Sequence, residues 1–457
     1  MNDNKELTMM EKLISLAKRR GFIYQGSEIY GGLAGTWDYG PLGITLKNNL
    51  KQLWWQMFVE DREDMYGVDA ALLMNQDVWK ASGHVAGFSD PLVEDIKTKK
   101  RFRADHLLEE HGVDPKGMKI ADMDAAIKSK GLKSPDGNAL GDVMQFNMMF
   151  KTHIGAVQDE NSISYLRPET AQGIFVNFKN VIDSFHPSLP FGIAQIGKAF
   201  RNEIAPGNFI FRLRELEQME VEYFVKPGEW EKAFEEFRLL MHTWTDRIGL
   251  NKDHVHELEI ADEDRAHYSK RTIDIEFDYP FGRKELYGLA YRTDYDLKAH
   301  AAASGQDLSY FDEENKERYI PHVIEPSFGV DRTILAILSD AYTEDELGGE
   351  KRVFLKLSPT IAPIKVAVFP LLKNKPPLIA KAREVYAMLK KHMSGVAFDD
   401  NGNIGKRYRR QDEVGTPWCV TIDFDSLEDE AVTVRDRDTG KQERIKISEL
   451  YNYIDPQ

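Results

Sequence analysis

The sequence predicts an α+β protein, with an antiparallel sheet flanked by helices and a smaller C-terminal α/β unit. Three observations carry this. Residues 164–166, 191–196 and 272–277 alternate apolar and polar side chains, as half-buried antiparallel strands do. Between the last two, Trp230, Phe234, Phe237, Met241, Trp244 and Ile248 step by four and three, the stripe of a core-facing helix. A composition break at Ser358-Pro359 and Pro363 then opens a separate pattern. It reads as a strand (364–369), a helix (379–393), a short helix (405–413) and a strand (418–424), with a hairpin pairing 432–434 and 444–447 across Asp438-Thr439-Gly440.

The chain's 457 residues suit about three domains of ~150 residues each. The expected divisions are 1–104, an insertion and return to the core over 105–160, a core over 161–358, and 359–457. Hydrophobic residues make up 42%, enough for real cores, and no apolar run approaches the ~20 residues of a membrane span. No membrane partner is therefore expected. The first residues carry Asp3, Glu6 and Glu11 and read as neither a secretory signal nor a transit peptide. A single cysteine, Cys419, excludes an intrachain disulfide and a Cys-rich zinc site, and fits a reducing, cytoplasmic setting. The net charge of −15 argues against a non-specific nucleic-acid coat, although local basic patches decide RNA binding.

Met10, Leu13, Ile14 and Ala17 predict an N-terminal helix stopped at Gly21. A glycine-rich stretch follows, Tyr30-Gly31-Gly32-Leu33-Ala34-Gly35 and then Tyr39-Gly40-Pro41-Leu42-Gly43, leading into an aromatic helix over 45–59. Trp54, Trp55, Met57 and Phe58 on that helix suit either a subunit interface or an intrachain core. Residues 105–141 are charged and periodically helical, with Leu107, Leu108, Ile120, Met123 and Ile127, and read as an insertion beside a core.

The chemistry concentrates in two pieces. Phe200-Arg201-Asn202-Glu203, a turn-forming loop through Gly207, and the run from Phe211 to Glu220 interleave three arginines with four glutamates in twenty residues. This is either an exposed hairpin laced with salt bridges or a phosphate clamp, since the planar, permanently charged guanidinium matches phosphate oxygens. The second piece, Glu325-Pro326-Ser327-Phe328-Gly329-Val330-Asp331-Arg332, runs into an apolar helix. A cation in a helix's first turn opposes the dipole, so Arg332 needs an anionic or π partner, which could be as plain as a neighbouring salt bridge.

Together the two pieces resemble motifs 2 and 3 of the class II aminoacyl-tRNA synthetases. Motif 2 is an aromatic-Arg-x-Glu, a loop, then Arg-x-x-x-Phe-x-x-x-Glu, here Phe200 to Glu203 and Arg212 to Glu220. Motif 3 ends in Gly-x-acid-Arg, here Gly329 to Arg332. Motif 1 maps to the region from Tyr39 through the aromatic helix to Met74. The stretch Val78-Trp79-Lys80-Ala81-Ser82-Gly83-His84 is similar to the class IIa group. The segments beginning Phe102-Arg103-Ala104-Asp105, Leu166-Arg167-Pro168-Glu169-Thr170 and Tyr291-Arg292-Thr293-Asp294, together with Glu325-Pro326-Ser327, resemble the glycyl-tRNA synthetases. Ile404-Gly405-Lys406-Arg407-Tyr408-Arg409-Arg410 resembles their anticodon-binding domain. The resemblance spans nearly the whole chain and is weakest over 105–141.

The resemblance implies a class II antiparallel sheet flanked by helices and a C-terminal anticodon-binding α/β domain. It implies ATP-dependent attachment of glycine to tRNA(Gly) through glycyl-adenylate, with Mg²⁺, in a cytoplasmic homodimer. By the family pattern Arg201, Arg212 and Arg332 are catalytic. ATP would lie among Arg201, Asn202, Glu203, Phe211, Arg212, Leu213, Arg214, Glu215 and Leu216, with Glu285 and Leu286 from a second strand and Gly329, Val330, Asp331 and Arg332 from motif 3. Glycine would lie among Arg103, Glu169, Leu216, Glu217, Gln218, Met219, Glu220, Glu325, Pro326, Ser327, Phe328 and Gly329. Glu285 is the magnesium candidate, because Mg²⁺ prefers carboxylate and phosphate oxygens; a paired surface glutamate is its plainer reading. Leu216 stands where the family pattern has a phenylalanine under adenine. Lys406, Arg407, Arg409 and Arg410 would face an anticodon stem-loop or form one solvated helix face. Lys97, Lys99 and Lys100 would meet the acceptor stem. Two other readings compete: a threonyl- or prolyl-type class IIa enzyme, and a non-catalytic synthetase-shaped nucleic-acid-binding subunit.

Overall fold

The computed structural model describes residues 7–455. Asp3 and Glu6 lie outside them. Helix α1 (Met9–Arg19) begins at a capping box, in which the Thr8 side chain accepts from the Glu11 backbone N–H at 3.3 Å and the Glu11 side chain from the Thr8 backbone N–H at 2.8 Å. It buries Leu13, Leu16 and Ala17 and stops at Gly21, whose φ of 74° favours glycine. Helix α2 (Pro41–Trp55) starts with proline at its first position. Its Gly43 is obligatory, because a Cβ there would sit 1.9 Å from the carbonyl oxygen of Phe22.

The expected single helix over 45–59 is therefore α2 followed by one π-helical turn, Gln56–Glu60. Trp54, Met57 and Phe58 are buried inside the chain. Trp54 stacks on Phe58 at 5.1 Å, and Phe58 meets the ring of Phe328 edge-on at 5.0 Å. Trp55 covers Gly67, where an added Cβ would lie 2.4 Å from the indole. These aromatics build the core rather than a subunit face.

After a short strand, β1 (Met65–Gly67), the insertion forms a small unit of its own. Strands β2 (Ser89–Glu94) and β3 (Arg101–Arg103), helices α3 (Ala104–Glu110) and α4 (Ile120–Ser129) and strand β4 (Met144–Asn147) enclose Val93, Leu107, Leu108, Met123, Ile127 and Val143. Residues 164–166 lie in a strand (Ile163–Leu166) of a separate three-stranded sheet.

The central sheet follows the short helix α5 (Ala171–Phe175). In chain order come β5 (Phe191–Phe200), β6 (Glu215–Val225), helix α6 (Trp230–Arg247), β7 (Val255–Glu259), β8 (Arg271–Tyr279), β9 (Gly282–Thr293), helix α7 (Tyr295–Ser304), β10 (His322–Gly329) and helix α8 (Val330–Ala341). The spatial order is β7-β8-β9-β10-β6-β5-β1, antiparallel except where β1 joins β5. One face packs on α2, α6 and α8, with Trp244 donating to the Tyr287 hydroxyl at 3.0 Å. Over part of the other face lie α5 and α7, around Ile174, Phe175, Leu297, Phe191 and Phe224. The rest of that face is open for a ligand.

A hairpin, β11 (Tyr342–Leu347) and β12 (Glu350–Leu355), leads from α8 to the C-terminal unit. There β13 (Val366–Pro370), α9 (Pro376–His392), β14 (Val396–Phe398), α10 (Ile404–Val414), β15 (Trp418–Ile422), β16 (Ala431–Asp436) and β17 (Gln442–Lys446) form a five-stranded sheet ordered β14-β13-β15-β16-β17. The two units are joined by buried charge. Asp412 of α10 accepts from Arg435 at 2.7 and 3.0 Å and from Arg352 of β12 at 3.2 Å. Arg437 ties the carbonyls of Leu357 and Gly415 together at 2.9 and 2.8 Å.

The basic run on α10 divides. Arg407 is buried and donates to the carbonyls of Pro370, Asp400 and Gly402, so it is a loop clasp rather than an RNA contact. Arg409 pairs with Glu350 and Arg410 with Asp399. Lys406 remains exposed beside them.

Candidate active site

The loop between β5 and β6 is not a solvated hairpin. Phe209, Ile210, Phe211 and Leu213 are buried, and Phe209 meets the Trp37 ring edge-on at 4.7 Å. Its arginines are not spent on carboxylates. Arg201 donates from Nε to the Pro168 carbonyl at 3.0 Å, and Arg214 holds the carbonyls of Glu203 and Ala34. Among the described residues no carboxylate lies within ion-pair distance of Arg201 or Arg212. Arg201, Arg212 and Arg332 line one cavity with Glu203, Phe211, Leu216, Gln218, Glu285 and Leu286. Burial raises the Glu203 carboxyl above its ordinary value, although Arg212 and Arg201 pull it down.

Arg332 finds the partners its helix position demands. Its guanidinium sits 4.4 Å over the Phe211 ring and 3.1 Å from the Glu285 carboxylate. The backbone bulges where Ile275 and Glu276 meet β9, and this turns Glu285 toward Arg332 while Leu286 is buried.

The pleat of β6 separates the expected glycine residues. Gln218, Glu220 and Glu222 face the open side. Met219 is buried in the main core, and Glu217 reaches helix α2, 2.6 Å from Lys47 and 3.0 Å from Lys51. Asp331 lies on that side too, accepting from the Tyr39 hydroxyl at 2.5 Å and the Glu217 backbone N–H at 2.9 Å. On β10, Glu325 and Ser327 face the pocket, whereas Phe328 enters the core with Val330 behind it; Pro326 alternates to the core side. Glu215 begins β6 and pairs with Lys198. Asn202 is half-buried at the mouth of the loop. Arg103 stands on β3, held by Asp90 at 2.5 Å and Asp105 at 2.6 Å, with Glu203 as a further charged neighbour.

Beyond Arg201 lies a buried acidic cluster. Glu220 accepts from Ser327 at 2.9 Å and from Thr170. Arg292 bridges Asp296 at 2.8 and 2.9 Å and Glu325 at 2.7 Å, with its guanidinium 3.8 Å over Tyr268. Glu169 is 3.3 Å from His84 and 3.0 Å from the Gln172 amide. Burial favours protonation of Glu169, but His84 and Arg292 outweigh it and hold the group ionised. Burial and the Glu169 charge raise Glu220. Sequence reasoning assigned no role to Thr170, Gln172, Arg292, Asp296 or His84 in this pocket. The signal for them was confined to the family-like segments that contain them.

Glu222 is fully buried at the base, and neither carboxyl oxygen has a hydrogen-bond partner. Burial and the neighbouring Glu325 push it well above the ordinary 4.5. Burial raises Glu325 as well, to about 8, but Glu325 bonds Arg292 at 2.7 Å, so Glu222 is the carboxyl held more strongly in its neutral form. A raised folded-state pKa gives stability that is complete below the unfolded value and declines as pH rises. Glu222→Gln removes that slope. It is expected to gain stability over wild type by up to ~1.4 kcal/mol per pH unit above pH ~4.5. Thermal midpoints of the two proteins across that range check it; parallel curves would place the proton elsewhere.

Residues 150–341 match the family described as the tRNA synthetase class II core domain (G, H, P, S and T), and residues 365–456 match the anticodon binding domain family. The glycine–tRNA ligase of Clostridium acetobutylicum is 52% identical over 99% of both chains. That of Lachnospira eligens is 53% identical over 98% of both, and that of Thermobifida fusca 53% identical over 97% of both. With such similarity along its whole length, an arginine-lined cavity built from motifs 2 and 3 and an anticodon-binding domain behind it, the chain belongs to the glycine–tRNA ligases of the class II synthetase family.

Proposed function

We infer that the protein attaches glycine to tRNA(Gly) in two steps. The glycine carboxylate attacks the α-phosphorus of ATP, giving glycyl-adenylate and pyrophosphate; the 3′-terminal hydroxyl of the tRNA then takes the glycyl group and AMP leaves. The observation that carries this reading is the adjacency of two opposite environments. An arginine-lined cavity suits a triphosphate, and the cluster of Glu169, Glu220, Glu325 and Asp296 around Arg292 suits an ammonium. Arg201 stands where they meet, bonded to Pro168 beside Glu169. Gln218 lines the cavity with a buried amide oxygen that has no partner, an acceptor awaiting a donor.

No enzyme nucleophile is required. The chain's task is to align carboxylate and phosphate and to stabilise the charge that develops between them. Arg201 and Arg212 neutralise phosphate oxygens, Arg332 covers adenine, and Leu216 supports the base from below. Leu216→Phe is expected to lower the ATP KM roughly two- to tenfold, the ~0.5–1.5 kcal/mol of aromatic stacking. An equal or higher ATP KM in the variant would contradict the placement.

The residues near Glu285 fit a magnesium ion shared with phosphate. Among the described residues no cluster of three or more His, Cys, Asp or Glu side chains could hold a metal, so phosphate oxygens would have to complete the shell. Burial, with Glu285 and Glu276 adding to it, pushes Asp274 up to about 7, a crowding of negative charge that a cation would relieve. When bound, the ion would neutralise phosphate charge. A homodimer is part of the same reading. The exposed Ile29 (89%), Tyr30 (86%) and Leu33 (56%) offer apolar surface for it in place of the buried Trp54 helix. No helix among the described residues is long and apolar enough to cross a membrane. Lys406, Arg409, Arg410, Lys97, Lys99 and Lys100 remain the basic residues proposed for the tRNA, of which Lys99 and Lys100 pair with Glu94 and Asp136 as the two arginines pair with Glu350 and Asp399, and a cytoplasmic setting is retained.

The deciding assay is amino-acid-dependent ATP–pyrophosphate exchange. Glycine should stimulate it; alanine and serine should not. Exchange driven by threonine or proline would instead support another class IIa specificity, and no exchange with any amino acid would support a binding module.

A further inference from the structure

We propose that His300 is a positioning residue for the amino-acid pocket: it orients the Gln172 side-chain amide, which holds Glu169 in place for the substrate ammonium. His300 lies on α7, almost fully buried behind the pocket. Its Nε2 is 2.7 Å from Oε1 of Gln172. The Gln172 nitrogen donates in turn to Oε1 of Glu169 at 3.0 Å and to Oδ1 of Asp296 at 3.1 Å.

Geometry fixes the direction of this chain. A nitrogen flanked by two carboxylates must be the donating end of the amide, so its oxygen faces His300 and requires an N–H there. Burial lowers the His300 pKa, which leaves a neutral imidazole with its proton on Nε2. Gln172 itself is fully buried. Without His300 its oxygen would be a buried acceptor with no donor. Rotating the amide would then present that oxygen to Glu169 and Asp296, where it repels both. Among the described residues Glu169 has two anchors, the Gln172 amide on Oε1 and His84 on Oε2. Loss of one leaves a carboxylate free to turn away from the ammonium, while the phosphate cavity is untouched.

This rests on the reading of Glu169 as an ammonium partner, so the experiment carries both arms. Exchange kinetics of the full-length protein give glycine KM, ATP KM and kcat for His300→Leu, His300→Asn, His300→Gln and Glu169→Gln. His300→Leu is expected to raise glycine KM about tenfold, with ATP KM and kcat changed by less than about twofold. His300→Gln should restore a near-wild-type glycine KM, because its amide nitrogen can stand where Nε2 does. His300→Asn keeps polarity but is one methylene too short, and should behave like leucine while being gentler on folding. In a Glu169→Gln background, His300→Leu should add little further to glycine KM.

An unchanged glycine KM in both His300→Leu and His300→Asn, beside a raised one in Glu169→Gln, overturns the positioning role and leaves the pocket reading standing. A glycine KM unaffected by Glu169→Gln overturns the pocket reading, and the positioning role with it. Parallel losses in glycine KM, ATP KM and kcat that glutamine does not rescue would mark His300 as a packing residue only, and also overturn it.

Discussion

Arg201→Ala is expected to slow glycine-dependent ATP–pyrophosphate exchange by about 10³-fold, the scale set by removing one fixed charge-stabilising group from a transition state. The side chain is held for this by its surroundings. Its Nε is bonded to the Pro168 carbonyl at 3.0 Å, and its guanidinium lies 5.6 Å from the Phe88 ring. Among the described residues no carboxylate is within ion-pair distance of it, although Glu203 and Glu285 lie near enough to feel its charge. As the carboxylate approaches phosphorus, negative charge gathers on the α-phosphate oxygens, and a cation already in position needs no reorganisation to meet it. Arg201→Lys should recover only part of the rate, since an ammonium keeps the charge but loses the planar fork. The thermal midpoint of Arg201→Ala should stay near wild type, which separates catalysis from folding. Exchange within tenfold of wild type in a stable variant would remove Arg201 from the reacting centre.

The second large effect is on stability. Asp412→Ala is expected to cost about 3–5 kcal/mol, because it strands buried guanidinium groups without their carboxylate. Asp412 and Arg352 are each almost fully buried, and Arg435 nearly so. Arg352 would keep Asp345 at 2.7 Å, but Arg435 would lose both of its bonds to Asp412. The damage falls on the seam between the units, since Arg352 belongs to the hairpin after α8 and Asp412 to α10. Limited proteolysis should therefore cut first near residues 356–365 in the variant. Unaltered melting and an unaltered cleavage pattern would show that the remaining contacts, those of Arg437, Arg352 and Arg409 among them, hold the seam without Asp412.

Much of the fold and part of the site could be read from sequence, for reasons that differ by element. The helix α6 stripe was legible because one face of a long helix packs on one sheet, so the period survives in the chain. The three arginines were legible because motif 2 is a contiguous strand-loop-strand and motif 3 a contiguous strand-helix. The roles of single residues within those motifs were less so. Glu217 and Asp331 border the arginine-lined cavity, and their carboxylates also bond Lys47 and Tyr39, partners far away in sequence. Trp54 and Phe58 read equally as interface or core until Phe328 was found against them. Arg407 looked like its neighbours on α10, but only the folded chain brings the carbonyl of Pro370 to it. In each case the deciding contact joins segments that no local pattern connects.

Strand β6 carries one more consequence. Its open side shows Gln218, Glu220 and Glu222, and its covered side Glu217, Met219, Val221 and Tyr223. A slip of one residue would push two glutamates into the apolar layer and bring a methionine and a valine out to meet the substrate. Lys47 and Lys51 would also lose the carboxylate they clasp. The strand thus proofreads its own alignment from both sides during folding. Length changes between relatives should accordingly collect in the turn around Pro206 to Asn208, where the chain can lengthen without moving that alignment.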